Sequence, residues 1–217
     1  MLRGYSEVKA LICSMNYFVT AIGTDSGKSL VSAILVEALK ADYWKPIQAG
    51  LPADTDGVKA LVSNSISRFH PETHRLKMPA SPHAAARFEH LHIQLDDFVL
   101  PETGNEIIVE GAGGVMVPIN QENFVIEIAR KLNMEIILVA NLYLGSINHT
   151  LLTVDYLKRN NYRVKGIIFN GDGNPESEQI IEKHSGYKVL LHLPKLGKVT
   201  PEIVQYWGDQ LMLNWYE

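Results

Sequence analysis

From Met15 onward, short apolar runs rich in β-branched residues alternate with longer stretches whose apolar positions recur at helical spacing. That alternation is the pattern of strand–helix–strand units around a parallel sheet. It predicts strands at 17–21, 43–45, 107–110, 135–140, 164–170 and 189–193. Helices are predicted at 28–40, 56–63, 82–88, 124–132, 147–160 and 176–185, with a last one starting at Pro201. The runs "EIIVEG" and "EIILVAN" show no polar alternation, as expected of strands covered by helices on both faces. No internal repeat breaks the pattern. The polar stretch 64–79, with several histidines and prolines, reads as a connecting loop.

Composition narrows the class. The 217 residues are 46% hydrophobic and 20% charged, enough apolar material for one large core and hence a single domain. A formal net charge of -4 with no basic block argues against nucleic acid or an anionic membrane and leaves a small molecule as the expected partner. The single cysteine, Cys13, excludes an intrachain disulfide framework and a cysteine-built zinc site, and fits a cytoplasmic location. The leader "MLRGYSEVKALICS" is interrupted by Glu7 and Lys9, so it does not read as a signal peptide, and no later run is long and apolar enough to span a bilayer. Met15 directly precedes the first strand. The expected domain is therefore 15–217, with 1–14 an N-terminal extension that the fold can do without.

Parallel sheets bind ligands beyond the carboxyl ends of their strands, so the residues after each run are the ones to read for chemistry. The first run opens "YFVTAIGTDSGKS", Tyr17 to Ser29. Strand, glycine-bearing loop and helix follow one another as a phosphate cradle requires, although Ile22 stands where the standard G-x-x-x-x-G-K-[ST] loop has its first glycine. Backbone N–H groups at the helix start attract phosphate oxygens, Lys28 can reach the β and γ phosphates, and the Ser29 hydroxyl can ligate magnesium. The bland alternative is a tight turn with a surface lysine.

Other strand ends add to this. In "YWKPIQAG" the proline biases Lys45 toward extended geometry at the strand tip, where its charge can meet a triphosphate. In "PADTDGVKAL", Thr55 or Asp54 can cap a helix, and Asp56 is a candidate magnesium carboxylate. In "IIVEGAGGVMVP", Glu110 closes a buried strand, where a carboxylate needs a cation, and glycines that permit close backbone approach follow it. "LYLGSINHTLLT" places Gly145 and Ser146 before a helix that Ser146 or Asn148 can cap and whose free N–H groups can hold a carboxylate. Asn170 ends "IIFN", as a base-edge amide or a turn residue. The eight histidines show no ligand spacing for a transition metal. His83, in "ASPHAAA" with Ser81 as N-cap and Pro82 as first helical residue, is read as structural or in contact with substrate. Trp207, Trp215 and Tyr216 read as packing or subunit-contact residues.

The ordered set "YFVT…GKS", "KPIQAG", "DTDGVKAL", "SPH", "VEGAGG", "LGSINHTLLT", "FNG" and "LPKL" resembles the dethiobiotin synthetases, from about Met15 to the C-terminus. That family's loop has five residues between its glycines, which puts Ala21 at the first-glycine position. The resemblance implies a parallel-sheet, three-layer α/β/α fold of the P-loop NTPase-like class in a single domain. It implies ATP and Mg2+ as cofactors, and ATP-dependent carboxylation and ring closure of 7,8-diaminononanoate with CO2 by a cytoplasmic homodimer. Carried over residue by residue, Thr24, Asp25, Ser26, Gly27, Lys28, Ser29 and Leu30 would hold the phosphates. Ser29, Asp56 and Glu110 would hold the metal, and Gly111, Ala112 and Gly113 would approach the nucleotide. Asn170, Gly171, Pro194, Lys195 and Leu196 would border the adenine. Lys45 and Lys28 would be catalytic, and Lys45, Ala49 and the partner's Gly145, Ser146 and Asn148 would meet the substrate. Ala49 stands where the family usually offers a hydroxyl.

Two rival readings share the same sheet. A partition- or division-type ATPase switch carries an extra lysine early in the loop, where this chain has Gly23. A non-catalytic nucleotide-binding module is the third.

Overall fold

A computed structural model describes residues 16–216; the expectation for residues 1–14 lies outside the described residues. Strand β1 (Tyr17–Ala21) is buried at every position, because its side chains alternate between two apolar layers. Tyr17, Val19 and Ala21 join one cluster, whereas Phe18 joins the other. Helix α1 (Lys28–Leu39) follows, then β2 (Asp42–Trp44), β3 (Ile47–Ala49), α2 (Asp54–Leu61), β4 (Phe69–His70), β5 (His74–Leu76) and α3 (Pro82–Phe88). The second half runs β6 (Ile107–Gly114), α4 (Val125–Lys131), β7 (Glu135–Asn141), α5 (Ser146–Arg159), β8 (Val164–Asn170), α6 (Pro175–Ser185), β9 (Val189–Leu193) and α7 (Pro201–Trp215).

Seven of these strands form one parallel sheet in the order β4-β2-β6-β1-β7-β8-β9. Helices cover both faces: α1 and α7 contribute to the cluster containing Val19 and Tyr43, and α3, α4, α5 and α6 to the one containing Phe18 and Trp44. This is the three-layer α/β/α arrangement in a single domain. Among the described residues, no helix is long and apolar enough to cross a membrane.

Strand order positions the site. Strand β6 lies between β1 and β2, so three adjacent strands deliver their carboxyl ends to one rim. Val19 pairs in register with Glu110, and Trp44 with Val109. Continuing that second register by one residue sets Lys45 beside Glu110.

The stretch 64–79 is not the plain loop its polarity implies. It supplies β4 at the sheet edge, and β5, which pairs with β3 in a separate two-stranded parallel sheet. The reason is tertiary. Buried Asp42 accepts hydrogen bonds from the Arg68 amide (2.9 Å), Thr103 Oγ1 (2.7 Å) and Asn105 Nδ2 (2.8 Å), and lies 2.9 Å from His70 Nε2. A two-residue strand held by a side chain 26 residues upstream leaves no periodicity to read.

Candidate active site

The loop between β1 and α1 wraps on itself at the sheet rim. Gly27 adopts φ +91°, and a Cβ there would stand 2.2 Å from Asn170 Nδ2, so only glycine fits. Asn170, from β8, donates to the Ser26 carbonyl at 2.9 Å and braces the loop from behind. Ser26 Oγ (3.1 Å) and Lys28 Nζ (3.3 Å) both donate to the Gly23 carbonyl. Lys28 is buried, and that burial depresses its ammonium pKa; Glu110 opposes the shift and Lys45 adds to it. Ala21 is fully buried inside β1 with no positive φ, so its methyl packs in the α1-side cluster and the strand needs no glycine there.

Beside the loop lies a charged knot. Glu110 Oε1 accepts from Ser29 Oγ and from Lys45 Nζ, each at 2.9 Å, while Oε2 accepts from the Tyr43 hydroxyl at 3.0 Å. Lys45 also reaches Asp54 Oδ2 at 2.6 Å, and Ser29 Oγ lies 3.2 Å from Asp54 Oδ1. Burial alone would lower the Lys45 pKa, but Glu110 and Asp54 outweigh it and hold the ammonium above its ordinary range. Burial, reinforced by the Glu110 charge, pushes the Tyr43 phenol well up, so it stays a donor.

Ser29, Lys45, Asp54 and Glu110 line a cavity of 660 Å³, within the range of small-molecule ligand sites, and Tyr43 stands behind it. Its walls include Thr24, Asp25, Ser26, Gly27, Lys28, Ser29, Leu30, Lys45, Ala49, Glu110, Ala112 and Gly113, all expected from sequence. Gly113 has φ +67° and backs onto Val117 and Thr24.

Other expected residues stand elsewhere. Asp56 is exposed on α2 and outside the cavity, whereas Asp54 of the same helix lines it. Gln48 Oε1 accepts from the Asp54 amide at 3.1 Å, which pins the helix start at Asp54, and a residue two further on is turned by about 200° around the axis. Neither Asp54 nor Thr55 caps α2, whose N-cap position is Ala53. Gly111 is a packing residue: a Cβ would meet Phe18 at 2.9 Å. Asn170 and Gly171 lie behind the loop, and the Gly171 amide donates to the Leu193 carbonyl at 2.9 Å. Pro194, Lys195 and Leu196 follow β9 farther along the rim, outside the cavity. Gly145, Ser146 and Asn148 stand at the end of β7, also outside it. Gly145, at φ +105°, is the N-cap residue of α5; Ser146 is buried as its first helical residue and Asn148 is exposed. Ser81 precedes α3 at its N-cap, but its hydroxyl pairs with the His83 side chain, at Nδ1 (3.0 Å), rather than with a backbone N–H of the helix.

Sequence reasoning missed Tyr43 and Gln48, and considered Asp54 only as a cap. A usable signal existed for Tyr43: it stands two residues before Lys45 in the run read as one extended segment, and residues two apart in extended chain share a face.

Several known proteins are similar to this chain. A family model described as an AAA domain matches residues 15–203. An ATP-dependent dethiobiotin synthetase BioD of Cytophaga hutchinsonii is 57% identical over 93% of this chain and 98% of its own length. The chain belongs to the ATP-dependent dethiobiotin synthetase family. Other dethiobiotin synthetases match as well, with 48% identity in Christiangramia forsetii (81% of this chain, 85% of the relative) and 43% in Paramagnetospirillum magneticum (84% and 89%). The solved structure of a ParA family ATPase from Chlorobium tepidum superimposes with a TM-score of 0.53 at 14% identity, covering 92% of this chain and 91% of that one. At that identity the likeness speaks to the fold of this chain alone.

Proposed function

We propose that this chain catalyses the ATP-dependent carboxylation and ring closure of 7,8-diaminononanoate with CO2, giving dethiobiotin, ADP and phosphate. The reading rests above all on the meeting of Lys28, Lys45, Ser29, Asp54 and Glu110 at one cavity. One amine of the substrate takes up CO2 as a carbamate and releases a proton. A carbamate oxygen attacks the γ-phosphorus, ADP leaves, and a carbamic-phosphoric anhydride results. The second amine attacks the carbonyl carbon, closes the ureido ring and expels phosphate.

The protein's share of this chemistry is positioning and charge stabilisation. The loop N–H groups and Lys28 receive the phosphates, and Lys45 faces the charge that builds up during transfer. Ser29, Asp54 and Glu110 offer oxygen donors only, with the serine hydroxyl 2.9–3.2 Å from both carboxylates, a set that fits Mg2+. Bound there, that ion would neutralise charge on the β and γ phosphates. Among the described residues no group of three or more His, Cys, Asp or Glu is placed to hold a metal, so the proposed cation would need ligands from phosphate and water beside Ser29, Asp54 and Glu110.

By the family resemblance, Asn170, Gly171 and the segment Pro194, Lys195, Leu196, which lie at strand ends along the same rim beyond the cavity, would border the adenine. Gly145, Ser146 and Asn148 of a second copy are assigned to the substrate's carboxylate tail in a cytoplasmic homodimer. Support for the second copy comes from the apolar side chains flanking that helix start, with Leu144 fully exposed, Leu152 61% and Tyr143 46%.

Phosphate release from ATP tests the proposal. It should require Mg2+, diaminononanoate and bicarbonate together and disappear in Lys45→Ala. Release indifferent to the diamine would point to an ATPase switch, and none under any condition to a binding module.

A further inference from the structure

Glu110 divides its two oxygens unequally. Oε1 takes Ser29 and Lys45 and faces the cavity side of the knot, whereas among the described residues Oε2 accepts only from the Tyr43 hydroxyl, at 3.0 Å. Both partners of that last bond are shut away from solvent, Tyr43 at 0% and Glu110 at 1% exposure, so water cannot replace either. The ring is fixed by its surroundings. Tyr43 sits in β2 in register with Ile108 of β6, and it packs against Phe69 with centroids 6.1 Å apart.

A glutamate's terminal torsion is broad and roughly two-fold, so backbone position alone does not decide which oxygen a carboxylate presents. A rigid donor on one oxygen does. We propose that Tyr43 is a positioning residue for Glu110: its hydroxyl anchors Oε2 at the back and so commits Oε1 to Ser29 and the metal side of the site. The inference rests on the assignment of Glu110 as a metal-side carboxylate made above. Phenylalanine would fill the same space and keep the ring contacts, so a pure packing role needs no hydroxyl. A hydroxyl buried here is instead satisfied by the one side chain whose orientation the site depends on.

The test measures Mn2+ binding by electron paramagnetic resonance, in the presence of a non-hydrolysable ATP analogue, beside thermal unfolding of the same samples. In Tyr43→Phe the Mn2+ affinity should fall about tenfold, the usual effect of removing a partner behind a metal ligand. The Mg2+ concentration giving half-maximal activity should rise in parallel, with a smaller change in the maximal rate. Should the phenylalanine variant fold poorly, two unnatural residues of matched size decide the matter. 4-Aminophenylalanine at position 43 keeps a donor and should restore wild-type Mn2+ affinity; 4-methylphenylalanine keeps the bulk without the donor and should not. Equal Mn2+ affinity in wild type and Tyr43→Phe, or in the two unnatural variants, overturns the inference while leaving the metal site intact. Failure of the wild-type protein to bind Mn2+ with the nucleotide analogue overturns the metal-site reading itself, and this inference with it.

Discussion

Lys45 Nζ lies 2.9 Å from Glu110 Oε1, with the two side chains 6% and 1% exposed. Neither group tolerates that burial alone. In sequence they are separated by 65 residues, and the pairing exists because β2 and β6 are neighbours in register.

A buried pair of this kind is costly to break from one side. Lys45→Met and Glu110→Gln should each destabilise the fold by about 3–5 kcal/mol, because each leaves the other partner desolvated and uncompensated. The double variant should lose clearly less than the sum. Urea unfolding of the four proteins measures the coupling; strictly additive losses would mean that the two groups do not depend on each other.

Asp54 and Asp56 offer a sharp contrast on one helix. Asp54 contacts Lys45 and Ser29, whereas Asp56 is exposed outside the cavity. Asp54→Asn should raise the Mg2+ concentration needed for half-maximal activity at least about tenfold, and Asp56→Asn should leave it within about twofold of wild type. A steady-state titration with Mg2+ settles the assignment, and the reverse ranking would return the role to Asp56.

The Ala21 methyl lies in the α1-side cluster on backbone that has no positive φ. Ala21→Gly should therefore not improve nucleotide binding. It should instead cost about 1 kcal/mol of stability, from the lost methyl burial and the added freedom of the unfolded chain. Calorimetry of ATP-analogue binding and thermal unfolding check the two halves of this expectation.

Glu37 makes part of the stability pH-dependent. Burial alone would raise its pKa, but the Lys40 ammonium (2.7 Å), the amides of Ser63 and Asn64 and the Asn64 side chain outweigh that and set it at about 2, against an ordinary 4.5. A folded-state value below the unfolded one means that the contribution is complete above pH 4.5 and is lost as the pH falls toward 2. Its size is about 3 kcal/mol. Glu37→Gln should thus be less stable than wild type at pH 7, with the gap closing across that acid window in urea titrations at stepped pH.

The layered sheet was legible because its strands are long enough to show apolar runs. Those at 164–170 and 189–193 coincide with β8 and β9 to the residue. The phosphate loop was legible because glycine, lysine and serine must be contiguous to shape a helix start around an anion. Edge strand β4 and the small sheet of β3 and β5 were not, being two or three residues long and held by Asp42 and by each other.

By itself, then, the order of residues determined the alternation of strands and helices, the loop after β1, and the runs that carry Lys45 and Glu110, although β6 continues to Gly114, past the Glu110 at which the apolar run ends. Those features follow from local periodicity and from chemistry confined to a few neighbouring positions. Only the tertiary structure decided that Asp54 rather than Asp56 faces Lys45, that Gly111 serves packing, and that Tyr43 grips the far oxygen of Glu110. Each of those depends on where a helix starts or on which strands lie side by side, and strand neighbours are chosen by the packing of the whole sheet.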